Sequence, residues 1–127
     1  MQRRFANFTR TMIPELTIFD KIIKGDIPST KVFEDDKVLA FKDINPGAPV
    51  HVLLVPKRRD GLDRLSCAEE RHKELLGHMM VCVPKVAKAV GLSDFRVVIN
   101  DGEKAGQTVF HLHMHILGGG PLKWPPT

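Results

Sequence analysis

The chain has only two cysteines, Cys67 and Cys82, without a close paired spacing and without further cysteines around them. That excludes a disulfide-stapled framework and a cysteine-rich metal cluster, and free thiols in a reducing compartment are expected. Cys82 lies in an apolar run and is expected in the core. No apolar run approaches the roughly 20 residues that span a bilayer, and no continuous apolar segment of the secretory kind stands near the start. Charge of one sign is not concentrated. The net charge is +4, and basic runs are as short as Arg3-Arg4 and Lys57-Arg58-Arg59. Such a mild balance favours an anionic small molecule and gives little support for nucleic acid. Neither a membrane nor a specific nucleic acid is expected as a partner.

Acidic residues are missing before Glu15, while Arg3, Arg4 and Arg10 are interspersed with Phe5, Phe8, Met12 and Ile13. Residues 1–15 read as a flexible leader, with an amphipathic organelle-import segment as the alternative. Residues 16–127 read as one domain. With 43% apolar and 27% charged residues in 127, the chain can bury a core and is not disordered in general.

Thr17 is placed to cap a helix over residues 18–24, with Asp20 three residues on and Gly25 as the stop. Ile18, Phe19, Ile22 and Ile23 recur at helical spacing and form its buried stripe. Strands are expected over 31–34, 38–41, 50–55, 95–99 and 109–117. The first two are joined by a hairpin loop at Asp35-Asp36-Lys37. The strand at 50–55 is continuously apolar apart from His51, as a central strand covered on both faces would be. Taken alone, His51 reads as a satisfied core histidine. A long helix is expected from about Ala68 to Ala89, with Ser66 as its cap and a kink or split at Pro84, because proline inside a helix costs about 3 kcal/mol. His72 and His78 lie on it without a partner motif and are expected at its surface. The lone Trp124, in a tail with Pro125 and Pro126, is expected to dock, and docking across a subunit boundary would explain why so small a chain carries it. The fold class is α+β: one antiparallel sheet of five strands, an N-terminal helix and one long helix, without repeats or an interdomain linker.

The chemistry concentrates at the end of the chain. His111, His113 and His115 alternate with Leu112, Met114 and Ile116. At the period of a strand, three imidazoles share one face and three apolar side chains the other. Two readings compete. Three histidines, joined by His51, can hold zinc through nitrogen. However, same-face neighbours on a strand stand about 7 Å apart, so the outer two would have to lean far inward. The second reading needs only His113 to meet the substrate. A neutral imidazole is a competent nucleophile near neutral pH, and flanking histidines can fix its tautomer. Such a group suits an anionic, electrophilic phosphoryl or nucleotidyl centre. Gly106, Gln107 and Thr108 can offer backbone N–H groups, an amide and a hydroxyl to phosphate oxygens. Asp43 and Ile44 can serve a ribose and a base.

The run from His111 to Leu117 resembles the signature of the histidine triad superfamily of nucleotide hydrolases and transferases. Within it, Thr17-Ile18-Phe19, Phe41-Lys42-Asp43-Ile44, the His51 strand ending in Val55-Pro56-Lys57, Val98-Ile99-Asn100 and Trp124-Pro125-Pro126 are similar to the histidine-triad nucleotide-binding protein branch, the adenosine 5'-phosphoramidase type. The glycines after the triad and the tryptophan tail separate it from the dinucleoside polyphosphate hydrolases. His115, in place of glutamine, separates it from the hexose-phosphate uridylyltransferases.

The resemblance implies a purine nucleoside phosphoramidase that works without a cofactor or a metal. His113 matches the nucleophile, His115 the histidine near the phosphate and leaving group, and His111 and His51 the supporting histidines. Asp43 matches the ribose-binding acid. Ile18, Phe19, Ile22, Phe41 and Ile44 match a purine pocket, and Asn100, Gly106, Gln107 and Thr108 the phosphate side. Trp124 matches a tail residue reaching the site across a two-fold homodimer whose sheet is continuous. Thr108 stands where serine is frequent and Phe110 where tyrosine is, and Arg58-Arg59-Asp60 lacks a histidine often found there. These departures bear on substrate preference. A cytoplasmic and nuclear location is expected. The alternatives are a nucleotide-binding adaptor that does not depend on catalysis, and zinc binding by the triad.

Overall fold

The computed structural model describes residues 16–126, so the leader at 1–15 lies outside the described residues. Thr17 caps α1 (Ile18–Lys24): its hydroxyl accepts from the Asp20 N–H, and Asp20 answers on the Thr17 N–H, a complete capping box. Gly25 closes the helix in the left-handed region at φ 87°. The strands follow as β1 (Lys31–Glu34), β2 (Val38–Lys42) and β3 (Val50–Pro56). Then come α2 (Lys73–Ala89), β4 (Phe95–Val98) and β5 (Met114–Gly118). The sheet is antiparallel throughout in the order β1-β2-β3-β5-β4. No helix among the described residues is long and apolar enough to cross a membrane.

The alternation of side chains divides the sheet's two faces cleanly. Val38, Ala40, Val52, Leu54, Met114 and Ile116 face α2 and pack on Met79, Cys82, Val83 and Val86. Leu39, Phe41, Leu53 and Val55 face the other way and carry Phe19 and Ile22 of α1. The central strands β2 and β3 are therefore covered on both sides, as the apolar run at 50–55 predicts. At the end of β5, Gly118 is obligatory. A Cβ there would stand 2.7 Å from the Asp94 carbonyl oxygen and 2.9 Å from Leu92.

Five expectations change. The long helix begins at Lys73, five residues late, after two short 3-10 turns over 65–67 and 70–72. Ser66 sits inside the first turn and caps nothing; its N–H donates to Asp101. Pro84 does not split α2, which runs through it without a break. The carbonyl it leaves without a donor is that of Met80, which is exposed and so can be solvated. His72 is buried, its Nδ1 accepting from the Glu69 N–H and its Nε2 donating to the Asp60 carbonyl. The fifth change concerns β5, which starts at Met114 instead of Val109. Its ladder with β3 ends at the pair Leu54 and Met114. The next rung would fall on Pro56, which has no N–H to give, and Leu112 donates instead to the Leu62 carbonyl. Both thiols are free, Cys82 buried and Cys67 exposed.

Candidate active site

Although the ladder covers only the last of the three histidines, the alternation runs through all of them. Leu112, Met114 and Ile116 are each at most 2% exposed in the α2-side core. Register is fixed by that burial, since a slip of one residue would carry three apolar side chains to the wrong face. The histidines are thereby turned toward α1. Phe19 stands edge-on between them, its ring centroid 4.9 Å from His113 and 5.8 Å from His111, and 5.6 Å from Phe41. His113 and His115 are 5.0 Å apart between ring centroids, and His115 and His51 5.1 Å.

Backbone groups set the protonation pattern of these rings. Burial is the main reason that all four lie below the ordinary imidazole value, His115 at about 4 with further repulsion from His113 and His51. Each ring is therefore neutral at pH 7 and carries one N–H. A carbonyl can only accept, so His113 donates from Nδ1 to the His111 carbonyl at 2.8 Å. That leaves the lone pair on Nε2, which has no protein partner among the described residues. His51 accepts at Nδ1 from the Gly47 N–H at 2.9 Å, so its proton is on Nε2. This proton goes to His115 Nδ1 at 2.9 Å, with the Asp43 carboxylate 3.4 Å from the same His51 nitrogen. The proton of His115 is thus on Nε2, a buried atom without a partner. One ring offers a lone pair, and its neighbour offers an N–H. A buried N–H left unbonded costs about 1–3 kcal/mol, so a substrate oxygen or nitrogen that accepts from His115 recovers that cost on binding.

His111 serves a different end. Its Nε2 donates to the Pro56 carbonyl at 2.8 Å, and it is fully buried. Its Nδ1 has no hydrogen bond, and the Asp20 carboxylate stands 3.5 Å away. Asp20 is also the capping residue of α1, and Arg59 lies 3.6 Å from it while donating to the Phe110 carbonyl. Asp20 and Arg59 thus tie α1 to the start of the triad. The sequence gives no sign of this, because the partners are about 40 and 50 residues apart and each reads locally as a cap or a surface charge.

The other predicted residues separate into groups. Phe19, Ile22 and Phe41 form the apolar floor beside the histidines. Ile18 and Ile44 are exposed, Ile44 at 87%. Asn100 and Gly106 adjoin, since a Cβ on Gly106 would lie 3.5 Å from the Asn100 amide, and Gly106 has φ 101°. Thr108 is exposed. Gln107 is buried, and its amide is committed to the chain: Oε1 accepts from the Gly102 N–H, and Nε2 donates to the carbonyls of Asp63 and Val109. It shapes the loop ahead of the triad and has no N–H to spare for a phosphate. Trp124 is 80% exposed within one chain, with the Arg96 guanidinium 5.8 Å from its ring centroid.

Metal-ligand spacing at this site occurs in Asp43, His51 and His115, whose donor atoms lie within 4.8 Å of one another. His111 and His113 direct nitrogens to backbone carbonyls and do not join it.

A model of the HIT domain family matches residues 24–122. Over 111 residues the chain is 60% identical to a 14 kDa zinc-binding protein of Zea mays, covering 87% of each chain. It is likewise 60% identical over 111 residues to adenylylsulfatase HINT1 of Arabidopsis thaliana, covering 87% of this chain and 76% of that one. Among solved structures, a HIT family hydrolase from Legionella pneumophila superposes with a TM-score of 0.81 at 42% identity, over 87% of this chain and 98% of that one. A histidine triad protein from Clostridium difficile does so with 0.80 at 46% identity, over 88% and 97%. The chain belongs to the HIT domain family, in its HINT-like branch, and is a hydrolase that acts on nucleotide-like substrates through a catalytic histidine.

Proposed function

We propose that the protein is a purine nucleoside phosphoramidase, hydrolysing adenosine 5'-phosphoramidates or aminoacyl-adenylates to AMP through a nucleotidyl-histidine. The observation that carries the reading is the pair of opposite tautomers: a lone pair on His113 Nε2 beside an N–H on His115 Nε2. His113 attacks the α-phosphorus, and the bond from phosphorus to the leaving nitrogen or carboxylate oxygen breaks. The His111 carbonyl holds the His113 Nδ1 proton as positive charge develops on the ring. The His115 N–H bonds the phosphoryl oxygen or leaving atom; a leaving amine departs with a proton taken through this N–H, and the water of the second step returns one. Water then attacks phosphorus, the P–N bond to His113 breaks, and AMP leaves. Phe19, Ile22 and Phe41 take the purine, Asp43 the ribose, and the segment with Asn100, Gly106 and Thr108 the phosphate.

The name of the Arabidopsis relative supports an adenylyl substrate, with sulfate as the group displaced there. The names of the maize and Brassica juncea relatives include zinc. The atoms of Asp43, His51 and His115 fit a cation by chemistry and spacing, and one held there would supply Lewis acidity.

We also propose a two-fold homodimer joined through β4 and α2, with Trp124 approaching the neighbouring site. Its support is the edge position of β4 and the exposure of Phe95, Met80, Val81 and Trp124. A monomer in sedimentation would remove it.

The test is to trap the intermediate. Chelator-treated protein is mixed with a tryptamine adenosine phosphoramidate, quenched early and weighed intact. A transient gain of one AMP, mapped to His113, is expected. Nucleotide binding with neither adduct nor AMP release would overturn the reading in favour of an adaptor.

A further inference from the structure

We propose that Asp35, His78 and Cys82 form a second site, on the α2 side of the sheet, for a borderline divalent cation of the zinc class. His78 and Cys82 lie four residues apart on one face of α2, and Asp35 comes to them from the β1–β2 turn. Three donors of different kinds converge. His78 Nε2 is 2.7 Å from Asp35 Oδ2 and 3.5 Å from Cys82 Sγ, and Sγ is 3.9 Å from Oδ2.

With protons in place, the His78 N–H and the Cys82 S–H are both directed at Asp35 Oδ2, and the sulfur also stands 3.5 Å from the ring nitrogen. A cation that displaces those two protons meets an oxygen, a nitrogen and a sulfur at once. Tetrahedral zinc with its ordinary bond lengths holds such donors about 3.3–3.6 Å from one another. The two distances to sulfur are already close to that range, and only the Asp35–His78 pair has to open, by less than about 1 Å.

The carboxylate is also oriented in advance. Asp35 Oδ1 accepts from the N–H groups of Lys37 and Val38, both at 2.8 Å, which leaves Oδ2 directed at the helix. Carboxylates in functional metal sites are fixed by second partners in this way. The side chains of His78 and Asp35 are 30% and 28% exposed while Cys82 is buried, so a water completing the shell comes from the histidine and aspartate side. One oxygen, one nitrogen and one sulfur suit zinc, cobalt or cadmium and not magnesium or calcium. On binding, the Sγ proton is displaced to solvent, and His78 gives up the proton on Nε2 and keeps a single N–H on Nδ1. The cation then clamps the β1–β2 hairpin to α2 and stabilises the folded state in proportion to its occupancy. This site lies across the sheet from the histidine triad and does not depend on the catalytic reading.

The test uses cobalt(II) as the probe on the intact protein. A sulfur-to-cobalt charge-transfer band is expected, because the cluster at the triad contains no sulfur. It should vanish in Cys82→Ser, weaken by at least about tenfold in affinity in His78→Ala and Asp35→Asn, and remain in Cys67→Ser. Zinc should raise the melting temperature of the wild type more than that of Asp35→Asn. Should Cys82→Ser fail to fold by circular dichroism, the His78 and Asp35 variants decide. Absence of the band at saturating cobalt would overturn the proposal. So would a band that survives Cys82→Ser or is lost in Cys67→Ser, or cobalt affinity unchanged in both Asp35→Asn and His78→Ala.

Discussion

The segment from His111 to Ile116 has two faces that differ in nearly every respect. On one, Leu112, Met114 and Ile116 are closed in the core against α2, and any apolar residue of suitable volume serves there. On the other, each imidazole has one nitrogen assigned to a particular partner and the other left open or shared. The first face is generic and supplies position. The second is specific and supplies chemistry, but it holds its geometry only because the first cannot slip. A histidine strand without the interleaved apolar residues would have no fixed register and hence no fixed tautomers.

The two faces can be broken separately. On the histidine face the largest effect is expected from His113→Ala. It should lower turnover by at least about a thousandfold while adenosine nucleotides still bind, measured by steady-state kinetics and calorimetry. Activity equal to wild type would contradict the assignment of the nucleophile. On the apolar face, Met114→Ala should cost about 2–5 kcal/mol in denaturant unfolding with little change in kcat of the molecules that remain folded. A large fall in kcat at full folding would mean that the two faces are not separable.

His51→Ala should lower kcat about tenfold to a hundredfold and change KM less, since it frees the His115 ring to take either tautomer. An unchanged kcat would show that His115 needs no orienting partner. The smallest effect is one of pH. All four rings lie below the ordinary value of 6.5, so the acid limb of kcat/KM should fall below pH 6.5. The unfolded chain binds protons first, so folding stability should decline as pH falls from about 6.5 to about 4 and then level off with respect to His115. An acid limb at or above 6.5 would contradict neutral buried rings.

Much of this was legible in the sequence, for identifiable reasons. Thr17, Asp20 and Gly25 delimit α1 by local chemistry, and the apolar run at 50–55 marks a strand covered on both faces. The alternation from His111 onward announces the divided face even where the ladder is absent. What could not be read depends on distant partners. The start of β5 is decided by Pro56 on another strand. The burial of His72 depends on the Asp60 carbonyl, twelve residues away. Gln107 looks like a free loop amide until Asp63 and Val109 are found on either side of it. Asp35, His78 and Cys82 are unremarkable singly and meet only when α2 lies on the β1–β2 turn.

The assignment of protons on the histidine face is the claim on which the rest depends, and long-range proton–nitrogen NMR correlations of the histidine rings at pH 7 test it directly. The expected spectrum has His113 neutral and protonated at Nδ1, with His51 and His115 neutral and protonated at Nε2. His113 protonated at Nε2, or cationic at that pH, would leave the ring without a free lone pair toward the substrate and would contradict its role as nucleophile.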